Sequence, residues 1–436
     1  MQGTDRLINV LRNRGLLSGK EIQRELGVSQ PVVSRLIQAA GPLVSRFGRS
    51  VATRYALSRE IAGLGRRSPI FRVDEHGTAI EHGVLHWLAG DGCWLERSSG
   101  DGQPFPGLPP FVEDMRPQGY IGRGFPALHP ELRLPGRITD WNDDHQVIAL
   151  AMRGEDCVGN LMVGEESLNR FFTRPREPRT RADYAGLASG VLAAQPGSSA
   201  GGEHPKFVID SGTRHLLVKF ATGDGAVADR WRDLLVAEHL ALGVLRAAGF
   251  MAAPAEWIDV EGSRYLEVER FDRVGRRGRR GVISLFALNC HFLGGDFDSW
   301  SRAGRRILDE PALRMTEADA ARMVWLDTFG DLIGNTDRHF GNLSFFAKER
   351  RTLTLALAPV YDMLPMLFAP AATSLVERRF APQPPTALNL RIWHEVAIQA
   401  EGYWALLGDA DELTAGFRQL ARDCHATLSQ LIHKHS

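Results

Sequence analysis

The chain has 436 residues, with 52 lysines and arginines against 52 aspartates and glutamates and 44% hydrophobic residues. That is the profile of an ordinary soluble protein with room for two or three domains. No stretch approaches 18 uncharged apolar residues and Met1 to Arg6 open no signal peptide, so we expect no membrane span and a cytoplasmic protein. Cys93, Cys157, Cys290 and Cys424 show no C-x-x-C spacing, which argues against a zinc site or a disulfide framework.

The neutral total conceals a basic head. Arg6, Arg12, Arg14, Lys20, Arg24, Arg35, Arg46, Arg49, Arg54, Arg59, Arg66 and Arg67 face Asp5, Glu21, Glu25 and Glu60, an excess of eight positive charges suited to a polyanion. Leu7 to Arg14 reads as one amphipathic helix, and Ser18 caps a second over Ile22 and Leu26. Gly27-Val28-Ser29 makes a tight turn into a third helix over Val32, Val33, Leu36 and Ile37. This is a helix-turn-helix layout, with Gln30, Ser34 and Arg35 on the polar face of the recognition helix. Residues 43–47 and 52–56 flank Gly48-Arg49-Ser50 as a hairpin wing, where Arg46, Arg49 and Arg54 would meet DNA phosphates or a minor groove. A helical protein-interaction module with a solvated basic face is the alternative. The layout resembles the winged helix-turn-helix of bacterial regulators and predicts a DNA-binding domain over 1–65.

Gly63 to Pro69 reads as a linker. From Ile70 to about Arg170 we expect strands, with a hairpin of 83–88 and 93–96 over Gly90-Asp91-Gly92, and loops at 103–110 and 126–135. Asp140, Asp143, Asp144 and His145 read as a solvated loop before a helix, not as a metal site.

A Gly/Ser-rich stretch at 195–202 then feeds a strand at 206–210, a turn at 211–213 and a return strand at 215–220 that carries Lys219. In a kinase N-lobe a flexible loop and such a lysine hold nucleotide phosphates. Gly201 and Gly202 would let backbone N–H groups approach the anion and Lys219 would reach the α- and β-phosphates, although the loop alone also reads as a linker. Ala228 to Ala248 is a long helix in which Glu238 aligns with Leu234, Ala241 and Leu245. A carboxylate on an apolar face needs a partner, and Lys219 fits. Residues 266–272 form a strand where an adenine-binding hinge belongs. The loop 273–280 is basic, suited to an acidic partner or simply to solvent. Thr316 caps a helix over 317–332.

That helix delivers Asn335-Thr336-Asp337-Arg338-His339-Phe340-Gly341-Asn342, in which Asp and Asn have the spacing of the kinase catalytic loop H-R-D-x-x-x-x-N. Asp337 would accept the proton of the attacking hydroxyl and Asn342 would hold Mg²⁺, with a helix cap or turn as the competing meaning. A hairpin of 343–347 and 352–357 leads to Asp362, a second oxygen ligand for the metal by its position, or else an Asx turn. Residues 390–433 read as helical.

The order of these parts, with S-x-x-G-x-x-P-K-F (Ser199 to Phe207), V-E-R-F-D-R (Val268 to Arg273) and N-T-D-R-H-x-x-N-x-S (Asn335 to Ser344), resembles the HipA family of bacterial toxin serine/threonine kinases over about residues 70–436. The resemblance implies an α+β, two-lobed protein-kinase-like fold, with an N-terminal lobe over 70–270 and a helical C-terminal lobe over 271–436. It implies ATP and Mg²⁺ as cofactors, and a protein substrate with a serine or threonine acceptor. Asp337 matches the catalytic base, Lys219 the ATP lysine, Asn342 and Asp362 the metal ligands, and backbone groups of Glu269 and Phe271 the adenine hinge. Ser199, with Ser198 beside it, matches the phosphate-loop serine whose autophosphorylation inactivates the family's kinases. Family toxins are commonly restrained by a separate DNA-binding antitoxin. Here a helix-turn-helix is fused in the same chain, and Glu203-His204 replaces the usual small residue and Gln. The rival reading is a transcriptional regulator whose kinase-like body senses nucleotide without phosphotransfer.

Overall fold

The structure is a computed structural model that describes residues 2–49, 52–194, 204–296, 299–349, 352–371 and 374–436. It divides into two compact units, Met1–Pro117 with His129–Arg174, and Gln118–Leu128 with Pro175–Ser436. Gln118–Leu128 thus belongs with the segment that begins at Pro175, away from its neighbours in sequence.

The first unit opens with α1 (Gln2–Arg14), β1 (Leu17–Ser18), α2 (Gly19–Leu26), α3 (Gln30–Ala40), β2 (Val44–Phe47) and β3 (Arg54–Leu57). Leu7, Leu11, Ile22, Leu26 and Val33 close a small core. Ser18 caps α2 reciprocally: its Oγ accepts from Glu21 N at 3.3 Å while Glu21 Oε2 accepts from Ser18 N at 2.7 Å. Gly27 ends α2 at φ 68°, the left-handed region that glycine enters without a Cβ clash. The strands pair antiparallel in the order β1-β3-β2.

The same unit holds an antiparallel sheet of β4 (Arg67–Val73), β5 (Ala79–Trp87), β6 (Cys93–Arg97), β7 (Gly102–Phe105) and β8 (Leu161–Val163), ordered β7-β6-β5-β4-β8. The expected loop at 103–110 is in part strand β7. The expected run of strands gives way to helices Pro110–Met115, Asp143–Arg153 and Glu165–Thr173. The reason is periodicity: Val147, Leu150 and Ala151 bury one helical face, and Asn142 Oδ1 caps the helix by accepting from His145 N at 3.1 Å. Asp143, Asp144 and His145 therefore lie in its first turn, and Asp144 is paired with Arg59 instead of standing free in solvent. Among the described residues no cluster of three or more His, Cys, Asp and Glu side chains is placed to hold a metal. The two sheets of the unit are joined by Ala89 N donating to Leu57 O and Arg59 N to Trp87 O, both at 2.9 Å, and by Phe47 stacked on Trp94 at 4.8 Å.

In the second unit β9 (Lys206–Asp210), β10 (His215–Ala221), β11 (Ala255–Val260) and β12 (Ser263–Glu269) form a sheet ordered β11-β12-β10-β9, packed on α4 (Ala226–Ala247). A second sheet, β13 (Val282–Ser284), β14 (Leu313–Arg314), β15 (Ser344–Glu349) and β16 (Leu353–Leu357), has the order β13-β15-β16-β14. Helices α5 (Trp300–Asp309), α6 (Glu317–Leu332), α7 (Trp393–Asp409) and α8 (Ala415–Lys434) complete it around Phe329, Trp393, Tyr403, Trp404 and Phe417, all at most 2% exposed. Helix α4 is tied to this helical layer. Asp233 accepts from Thr414 N at 2.9 Å and Oγ1 at 2.7 Å, and Tyr403 Oη donates to Ala237 O at 3.1 Å. Among the described residues no helix is long and apolar enough to cross a membrane.

Candidate active site

Lys219 stands in the middle of β10 and is 2% exposed. A buried ammonium is tolerated only when paired and hydrogen-bonded. Its Nζ donates to Glu238 Oε1 at 2.7 Å and Oε2 at 2.6 Å, and it also bonds the Asp362 carboxylate. Glu238, fully buried, is delivered by α4, whose 3.6-residue period turns position 238 to the same face as Leu234 and Ala241. Burial alone would discharge Lys219, but Asp362 and Glu238 outweigh it and hold the ammonium above its ordinary range. Burial likewise opposes charge on Asp362, yet Lys219 and Lys206 keep that carboxyl well below the usual carboxylate range. Glu238 moves the other way, because its burial exceeds the pull of Lys219.

The loop 337–342 is tied to Asp362 by Asn335, which is 1% exposed and lies three residues beyond α6. Its Oδ1 accepts from Asp337 N at 3.0 Å and its Nδ2 donates to Asp362 O at 3.3 Å. Asn342 Nδ2 donates to Asp337 O at 2.8 Å. A continuous path therefore runs Glu238, Lys219, Asp362, Asn335, Asp337, Asn342. Asp362 adopts φ 54°, a left-handed conformation that a side chain other than glycine tolerates only when its surroundings dictate it. Arg338 braces the loop from behind, with Nε to Asp327 Oδ1 at 3.3 Å and Nη1 on the Asn335 carbonyl. Asp327 also accepts from Ser301 N at 3.1 Å and Oγ at 2.6 Å. Tyr361, next to Asp362, donates its hydroxyl to Gly341 O at 2.6 Å.

The donor set suits Mg²⁺, a hard cation that takes oxygen ligands. Asn342 Nδ2 donates to Asp337 O, so Oδ1 is the atom that would hold the ion, together with the Asp362 carboxylate, which its lysines keep below the usual carboxylate range. The residues present fit the ion.

Glu269 ends β12, and its N–H donates to Pro254 O at 2.9 Å. Phe271 packs against Tyr361 at 5.7 Å and Phe346 at 6.0 Å. His204 is buried, its ring edge-on to Trp231 at 4.2 Å, and burial together with Lys219 lowers its pKa to about 3. Ser198, Ser199, Gly201, Gly202 and Glu203 lie outside the described residues. In the first unit Gln30, Ser34, Arg35, Arg46 and Arg49 are exposed and Arg54 is half-buried, well separated in sequence from the lysine–carboxylate cluster.

The ties that Asn335 and Tyr361 make between the two segments were not anticipated from sequence. Asn335 lay inside the motif, and its spacing two residues before Asp337 could have flagged it. Nothing in the sequence flagged Tyr361.

A HipA-like C-terminal domain model matches residues 198–428, and a model of the YjjJ-like toxin middle domain matches residues 64–172. Toxin YjjJ of Escherichia coli (strain K12) is 35% identical over 438 residues, covering 97% of this chain and 97% of that protein. A chain of the Shewanella oneidensis MR-1 complex of HipA, HipB and operator DNA is similar in fold, with a TM-score of 0.51 at 15% identity, over 81% of this chain and 95% of that chain.

Proposed function

We propose, because the chain belongs to the HipA-like toxin family, that it is an ATP-dependent serine/threonine protein kinase carrying a DNA-binding winged helix-turn-helix. The observation that carries the kinase reading is the buried Lys219, bonded at once to the Glu238 carboxylate of α4 and to Asp362 beside the catalytic loop. An ammonium so placed exchanges Asp362 for the α- and β-phosphates of a bound nucleotide, while Glu238 keeps it aimed. The Glu269 carbonyl and the Phe271 backbone hold adenine. Asp337 accepts the proton of the acceptor hydroxyl. The hydroxyl oxygen then bonds to the γ-phosphorus as the bond to the β–γ bridging oxygen breaks, and ADP leaves. Asn342 and Asp362 would hold Mg²⁺, which would supply charge neutralisation at the phosphates. Catalysis is positioning plus electrostatics.

Incubation with γ-labelled ATP tests the reading. We expect label on Ser199, and a loss on the order of 10²- to 10⁴-fold in Asp337→Asn. ATP binding without transfer in the wild-type chain would instead make it a nucleotide sensor attached to a regulator.

Support for the DNA reading is the exposed arginine set on α3, β2 and the following turn, together with the helix and strand order of that module. The solved HipA complex contains HipB and operator DNA, so a separate antitoxin is a partner to seek in the cytoplasm as well.

A further inference from the structure

Two short segments carry the proposed metal ligands, and one hydroxyl bridges them. Tyr361 precedes Asp362, and Gly341 precedes Asn342. The Tyr361 hydroxyl has a single hydrogen, which goes to Gly341 O at 2.6 Å. Its 2.8 Å contact with Ser344 Oγ must then be donated by the serine, so the chain reads Ser344 to Tyr361 to Gly341 O. Ser344 is 7% exposed at the start of β15, and its strand partner is Ser284 of β13, which anchors the relay to the sheet. The tyrosine ring faces Phe271 at 5.7 Å on the hinge side. Asn335 ties the backbone of Asp362 to that of Asp337, and Tyr361 ties the Asp362 segment to the residue adjoining Asn342.

We propose that Tyr361 is a positioning residue whose hydroxyl, oriented by Ser344, sets the spacing of Asn342 and Asp362 and thereby the affinity for metal-bound nucleotide. The inference rests on the kinase reading of the site. The ring's packing on Phe271 is a separate matter that a phenylalanine preserves.

The test uses the full chain and a fluorescent ATP analogue titrated in EDTA and against MgCl₂, with thermal melting as a check on folding. In Tyr361→Phe we expect unchanged binding in EDTA, an unchanged melting temperature within a few degrees, and about a tenfold rise in the Mg²⁺ concentration needed for half-maximal tight binding. Ser344→Ala should give a smaller shift in the same direction, and the double variant should be no worse than Tyr361→Phe, because the serine acts through the tyrosine. An unchanged Mg²⁺ dependence in Tyr361→Phe overturns the inference while leaving the kinase reading intact. Additive losses in the double variant also overturn it, since they would make Ser344 independent. A wild-type chain whose nucleotide binding ignores Mg²⁺ overturns the kinase reading and this inference with it. Should Tyr361→Phe melt early, the Ser344→Ala shift alone decides, and its absence counts against the proposal.

Discussion

At the scale of single residues the site is a problem of buried charge. Glu238→Ala strips Lys219 of one of its two carboxylate partners in a fully buried place, and removing one member of such a pair costs about 3 kcal/mol or more. Urea unfolding should show that loss, and Glu238→Gln should recover part of it by keeping an acceptor. His204 gives a pH signature. Its folded pKa is depressed to about 3, against about 6.5 in an unfolded chain, so below pH 6.5 the unfolded state binds the proton and the folded state refuses it. Stability is complete above that value and falls as the pH drops toward 3. Scanning calorimetry at pH 7 and pH 5 should show a smaller loss in His204→Gln than in wild type. Asp362, held low by its lysines, adds to the same acid sensitivity only below the ordinary carboxylate range. Lys219 and Glu238 were legible in the chain because helical spacing set a carboxylate against Leu234 and Ala241, and an apolar surrounding demands a cation. Tyr361 was not legible, since its partner is a backbone carbonyl twenty residues away and a carbonyl leaves no mark on sequence.

At the scale of elements, local rules worked wherever a cap or a turn decided the outcome. Ser18 caps α2 as expected, and Glu21 makes the cap reciprocal, so Ser18→Ala should cost about 1 kcal/mol, visible as a lower melting temperature of the first unit. The hairpin β15–β16 and helix α6 also fall where alternation and Thr316 placed them. The region 103–173 was read less well. Its helices are short and packed on a sheet, so their apolar positions mix with strand-like runs, and tertiary packing decided between the two. Gly330 in α6 shows a constraint that no local rule carries. A Cβ there would lie 2.4 Å from Arg338 Cδ, so Gly330→Ala should push that arginine off Asp327 and the Asn335 carbonyl. We expect reduced phosphotransfer with nucleotide binding retained, read by comparing kcat with KM for ATP.

For the whole molecule, the division into two units was hidden because nothing in composition marks 174/175. Among the ties within the first unit are backbone bonds, the Phe47–Trp94 stack and the Arg59–Asp144 pair, long-range contacts with no periodic signal. If the basic head binds DNA, a gel shift with the promoter region should weaken in Arg35→Ala and Arg49→Ala, and more steeply as salt rises. An unaltered shift would remove the DNA reading. The tether of α4 has a further consequence. Many kinases switch off by swinging the glutamate-bearing helix outward, which breaks the lysine pair. Here that swing would have to tear Asp233 from Thr414 and Ala237 O from Tyr403. If the chain is a kinase, its resting and working forms should therefore share one helix position, and hydrogen exchange across α4 should not change when nucleotide is added.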